Sequence, residues 1–209
     1  MNDKNENEIL SENKASAPVS AQSSEQTEKS PSVFGAVFEW IEMIALYFSV
    51  AMLILILFFA HSPVNGDSMN PTLINGDVVI VNKFAYTPKN GDIIVCQSES
   101  YGLDTPLVKR IIATEGQTVY IDYENRTITV DGVLLREDYI TQDTTPFDAS
   151  DYLESTFTVP KGKLFVMGDN RGHLKSADSR YASVGFIDEG YVVGKVVLRL
   201  FPLNSIELF

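Results

Sequence analysis

Hydrophobic and polar positions divide the chain into three textures. Residues 1 to about 32 are polar, residues 43–60 are uncharged and dominated by apolar side chains, and from Val64 onward short apolar runs alternate with Gly, Asn and Asp. The first stretch is rich in Ser, Glu, Asn, Gln, Lys and Ala. It buries too little surface to offset its ordering entropy, so it reads as a disordered tail. From Met43 to Ala60 the sequence MIALYFSVAMLILILFFA carries no charge. As a helix this run is about 27 Å long, close to the thickness of a hydrocarbon core. Trp40, Glu39 and Glu42 precede it and suit an interface. A cleaved leader fits badly, because the run is long and follows an acidic segment with no basic region. The pattern predicts a tail over 1–36 and a transmembrane helix over 37–61. Orientation is not legible from charge: Lys4, Lys14 and Lys29 face Asp3, Glu6, Glu8, Glu12, Glu25 and Glu28.

Residues 62–209 read as a single mainly β domain with antiparallel strands. Val, Ile, Thr, Tyr and Phe dominate the runs 77–82, 92–96, 107–112, 118–122, 164–167 and 191–199. Runs 127–130 and 132–135 flank Asp131-Gly132, a hairpin-turn signal. No long helical period occurs beyond the apolar span. The stretch from about 136 to 160 is polar and turn-rich, and predicts a surface excursion or small subdomain.

Charge and cysteine content narrow the chemistry. A net charge of −12 excludes nucleic acid as a partner, since phosphate binding needs clustered Lys and Arg. The single cysteine, Cys96, forms no intramolecular disulfide, and it reads as a small buried strand residue. The two histidines, His61 and His173, sit in no recognisable motif, and no Cys/His cluster has metal-ligand spacing. No metal or cofactor is expected. Length and composition leave the oligomeric state open.

Three segments carry candidate chemistry: Gly66-Asp-Ser-Met-Asn-Pro-Thr-Leu73, Leu107-Val-Lys-Arg-Ile-Ile112, and Met167-Gly-Asp-Asn-Arg171 continuing to Ser176-Ala-Asp-Ser-Arg180. Ser68 lies in a Gly/Pro-punctuated loop, where a hydroxyl is exposed. A serine is a weak nucleophile without a base. A lysine serves when its ammonium is desolvated, because burial disfavours the charged form. Strand alternation places Lys109 on one face with Leu107 and Ile111, and Val108, Arg110 and Ile112 on the other. Taken alone, Lys109 reads more simply as a lysine snorkelling from an edge strand.

Together, in this order and behind an apolar span, the three segments resemble the sequence boxes of type I signal peptidases. The resemblance runs from the span to about Phe186 and excludes the tail. It implies a serine endopeptidase in which Ser68 is the acylating nucleophile and Lys109 its general base. Ser176 would orient the lysine amine, and Asp178 and Arg180 would form a supporting pair. Gly168, Asp169, Asn170 and Arg171 would form a structural loop. Val64 and Val108 would line shallow pockets for small substrate residues, with Met69 beside the nucleophile packing on the lysine, so that Ala-x-Ala-like sites are cut. The implied partners are the signal peptides of secreted preproteins and a lipid bilayer, with the tail cytoplasmic and the β domain outside. Gly66 stands where some members carry a serine donor, which leaves the oxyanion to backbone amides, chiefly that of Ser68. The stretch Gly172-His-Leu-Lys175 is longer than the family spacing, and His173 within it is expected to be exposed. A specialised pilin-processing or single-substrate protease of the same clan shares these features, as would a non-catalytic membrane-tethered β module.

Overall fold

The computed structural model describes residues 33–140, 155–172 and 176–209. The expectations placed on the tail up to residue 32, on most of the 136–160 excursion and on His173 lie outside these residues. The chain divides into two compact units, Met1–Leu46 and Tyr47–Phe209.

Helix α1 spans Val33–Phe58, and none of its residues is buried. It is long and apolar enough to cross a membrane. It starts and stops earlier than the 37–61 expected from the sequence. The next residues, Phe59–Pro63, form strand β1, which pairs antiparallel with β2, Val78–Asn82, in the register Phe59↔Asn82 to Pro63↔Val78. An uncharged run of aromatic and aliphatic residues does not reveal where a helix yields to a strand. Here the ladder to β2 decides it, and the amide of Lys83 already bonds the Phe58 carbonyl.

The remaining strands are β3 (Ile93–Ser98), β4 (Gly102–Ala113), β5 (Thr118–Asp122), β6 (Thr127–Val130), β7 (Val133–Leu134), β8 (Thr156–Thr158), β9 (Lys163–Met167), β10 (Ile187–Asp188), β11 (Val192–Phe201) and β12 (Glu207–Leu208). Two antiparallel sheets result. The larger has the order β1-β2-β11-β3-β4-β9-β10, with β12 on β11; the smaller has the order β7-β6-β5-β8. The mainly β, antiparallel class expected from the sequence is what forms.

β3 shows why its apolar run is unbroken. Ile93 and Val95 join a core cluster with Val64, Met69, Leu73, Val79, Val81 and Val196, while Ile94 and Cys96 join another with Leu107, Ile111, Leu164 and Val166. A sheet covered on both faces needs apolar residues at successive positions, not alternate ones. A third cluster joins the ends of β4 and β9 to the smaller sheet through Ile112, Val119, Ile121, Phe165 and Met167. The hairpin between β6 and β7 turns at Asp131 and Gly132 with φ of 53° and 78°. Paired positive φ values are what this two-residue turn requires and what Asp-Gly supplies.

Cys96 is fully buried, and burial pushes its thiol up to about 12, against the opposing pull of Lys109. A buried neutral thiol is inert. We expect an alkylating reagent at pH 8 to leave the native chain unmodified by intact mass and to label it once after denaturation. Labelling of the native chain would contradict this packing.

Candidate active site

The Ser68 loop leaves β1 through Val64 and returns at β2. Val64 and Asp77 close it, with the Val64 amide bonding the Asp77 carbonyl at 2.8 Å and the Gly76 amide bonding the Val64 carbonyl at 2.9 Å. Met69 and Leu73 anchor the loop from below, both fully buried. Ser68 itself remains partly exposed at the top.

Lys109 lies in the middle of β4, opposite Ile94 on β3. Its neighbours along the same face, Leu107 and Ile111, are buried in the Ile94/Cys96 cluster. The lysine is 2% exposed, so this is an interior side chain and not one snorkelling from an edge. Its Nζ lies 2.8 Å from Ser68 Oγ and donates to the Val108 carbonyl at 2.9 Å. Burial pushes the amine below the ordinary lysine range; Asp178, Cys96 and Asp169 pull it back, while Arg180 pushes further down. A desolvated amine next to a hydroxyl is the arrangement in which lysine accepts a serine proton.

The turn after β9 holds this pair in place. The Asn170 amide bonds the Ser68 carbonyl at 2.9 Å, and Asn170 Nδ2 bonds the Asp67 carbonyl at 3.0 Å. Asp169 is fully buried and takes two bonds from Arg110, from Nε at 2.8 Å and from Nη2 at 2.6 Å. Its Oδ2 also accepts from Thr72 Oγ1 at 2.5 Å. One carboxylate therefore joins the residue after Lys109 to the loop that bears Ser68. Asp178 and Arg180 form a second, fully buried pair, with Arg180 Nε and Nη2 donating at 2.8 and 2.9 Å. The Gly168 amide also donates to Asp178 at 3.1 Å. Burial alone would raise the Asp178 carboxyl; the Arg180 charge and these bonds outweigh it and hold the group below the usual carboxylate range.

Two placements differ from the sequence reading. Ser176 is buried beside this pair, close enough to favour the Asp178 anion, yet its Oγ forms no aligned hydrogen bond to the carboxylate or to the Lys109 amine. The amine is instead oriented by the Val108 carbonyl, a main-chain group with no sequence signature. Met69 lies under the cleft and does not line it, because its side chain packs into the Val64–Val196 cluster. Thr72, Arg110, Glu137 and Tyr139 were not singled out by sequence. The last two belong to a polar stretch whose burial depends on partners far along the chain.

An open cleft of about 580 Å³ runs past the pair, lined by Ser62–Ser68, Tyr101, Asp104, Pro106–Lys109 and Ala177. Val64 and Val108 are both in its wall. The Ser68 amide donates to no protein acceptor among the described residues.

Comparison with known proteins identifies the family. Residues 37–201 match the family described as signal peptidase, peptidase S26. The chain is 37% identical over 178 residues to signal peptidase I P of Bacillus subtilis subsp. natto, covering 82% of this chain and 92% of that protein. It is 35% identical over 170 residues to a probable signal peptidase I-1 of Synechocystis sp., covering 76% and 81%. The crystal structure of a signal peptidase I from Enterococcus faecalis V583 aligns with TM-score 0.40 at 32% identity, over 54% of this chain and 98% of its own. The family match over residues 37–201 and relatives at 35–37% identity over most of the chain make this chain a serine endopeptidase that belongs to the signal peptidase family, peptidase S26.

Proposed function

We propose that the chain removes signal peptides from exported preproteins, cutting after Ala-x-Ala-like sites with Ser68 as nucleophile and Lys109 as general base. The observation that carries this reading is the 2.8 Å approach of Lys109 Nζ to Ser68 Oγ, with the amine withdrawn from water. The neutral amine takes the hydroxyl proton as Oγ attacks the scissile carbonyl carbon. The oxyanion that forms accepts a hydrogen bond from the Ser68 amide. Collapse expels the leaving amine, which takes its proton from Lys109 and leaves an ester on Ser68. Lys109 then removes a proton from water, and hydroxide attack on the ester frees the new carboxylate and restores both groups. Val64 and Val108 narrow the cleft beside the reacting carbon, which favours small side chains there. Met69 supports that wall from underneath. In this reading α1 anchors the enzyme in a bilayer with its N-terminal side cytoplasmic and the β domain outside, where the cleavage point leaves the membrane.

The test is cleavage of labelled preproteins by the full chain in detergent or vesicles, with products identified by mass. We expect a mature chain beginning immediately after Ala-x-Ala; absence of cleavage across a varied preprotein panel would overturn the reading. The pH dependence is a second check. Only the neutral amine is a base, so kcat/KM should rise with pH and level off below the ordinary lysine value of about 10.4. A profile still climbing at pH 10 would show that another group sets the rate.

A further inference from the structure

Two side chains outside the cleft, Glu137 and Tyr139, engage the arginines beside the Gly168–Asn170 turn. After β7 the chain lays residues 135–140 against the turn that carries Asp169 and Asn170, with Leu135 packed on the core of the smaller sheet. Glu137 receives both terminal nitrogens of Arg171, in a pair whose side chains are 8% and 5% exposed. Arg171 Nε in turn donates to the Gly168 carbonyl at 2.8 Å. Tyr139 places its ring 3.9 Å from the Arg110 guanidinium carbon, and its hydroxyl donates to Glu137 at 3.0 Å. The two arginines on either side of the Gly168–Asn170 turn are thus held by one unit made of Glu137 and Tyr139. A buried charge pair is a poor source of stability, because desolvation offsets most of its attraction. What it fixes well is geometry: a planar fork has one orientation, and the aromatic face under the second guanidinium restricts that group too.

We propose that Glu137 and Tyr139 are positioning residues for the Ser68–Lys109 pair, acting through Arg171 and Arg110 without touching substrate. The proposal rests on the Ser68–Lys109 reading given above. Two routes lead from this unit to the dyad. Glu137 acts through Arg171 on the turn at Gly168, which lies against the Ser68 carbonyl. Tyr139 acts through Arg110 on Asp169, which holds Thr72 in the nucleophile loop. The charges facing Lys109 are Asp178, Asp169 and Arg180, with the neutral Cys96 beside them. Arg110 bound to Asp169 compensates one of the two carboxylates. An Arg110 released from its ring contact would compensate it less, and the lysine would bind its proton more tightly.

The test compares the full-length wild type with Tyr139→Leu, Tyr139→Phe and Glu137→Gln on one cleavable preprotein, with a thermal melt of each. Tyr139→Leu should lower kcat about tenfold or more while KM stays within about twofold, since misplacing reacting groups without altering the cleft slows chemistry and not binding. The acid limb of its kcat/KM profile should move to higher pH. Tyr139→Phe keeps the ring and should restore both the rate and the limb. Glu137→Gln, which keeps side-chain volume, should lower kcat if Tyr139→Leu fails to fold. Wild-type kcat and an unmoved acid limb in folded Tyr139→Leu and Glu137→Gln would overturn the proposal, whatever their melting temperatures. A wild type that cleaves as well after Lys109 is replaced would instead overturn the dyad reading on which it depends.

Discussion

Lys109→Met abolishes cleavage and makes the folded chain more resistant to acid. The activity loss follows from the dyad acting as a unit: without the amine, Ser68 keeps its proton and water is not activated. Removal of one member of such a unit costs on the order of 10⁴-fold or more in kcat, and Ser68→Ala should cost about the same. The stability effect has the opposite sign because the lysine is buried. Its folded pKa lies below its unfolded value. Between the two, the unfolded chain binds more protons, so the contribution of Lys109 to stability rises with pH and falls as pH drops toward the folded pKa. Methionine has similar length and no charge, and removes that slope. The melting temperature of Lys109→Met relative to wild type should therefore increase steadily as pH is lowered from about 10 through the depressed pKa. A constant difference across that window would mean that the amine is not desolvated as drawn.

Gly168→Ala, one methyl group added to a residue with no chemistry of its own, is expected to slow cleavage by roughly 10²-fold. A Cβ at this position would lie 2.3 Å from the Ser68 carbonyl oxygen, 2.3 Å from Ser176 Oγ and 2.8 Å from Ser176 Cβ. The serine hydroxyl is able to turn away, but the main-chain carbonyl belongs to the nucleophile. Relief of the clash requires the Gly168 turn or the Ser68 main chain to shift, and either changes the setting of the Ser68–Lys109 pair. Overpacking of this kind costs about 1–3 kcal/mol of stability. A displacement of about 1 Å in the reacting group costs roughly 10²-fold in rate. Cleavage kinetics and a melt of Gly168→Ala measure both; unchanged kcat would show that the turn and the nucleophile move independently.

The parts of this structure that were legible in sequence are those with local causes. An uncharged apolar run announces α1, and Asp131-Gly132 announces its hairpin through the backbone angles it must adopt. Leu107 and Ile111 announce that Lys109 shares a buried face, because strand alternation is a local rule. What sequence could not convey depends on pairing across distance. β1 looks like a continuation of the helix until β2 claims its backbone. Glu137 and Tyr139 look like residues of a polar surface loop until Arg171 and Arg110 pair with them and leave them half-buried. Ser176 was assigned to the lysine amine by resemblance, yet the Val108 carbonyl takes the bond, since any residue supplies a carbonyl.

The junction between α1 and β1 has a consequence for encounter rates. Ser68 lies ten positions beyond Phe58, the last of the helix, and the strand ladder starts at once with Phe59. Even fully extended, that length keeps the nucleophile within about 36 Å of the helix end. Enzyme and substrate that are both inserted in one bilayer then search a layer a few nanometres deep, not a volume. Such confinement raises effective concentration to the millimolar range without any added contact. Under those conditions tight binding in the cleft is not required, and a domain released from a membrane-inserted α1 would need far more substrate to reach the same rate.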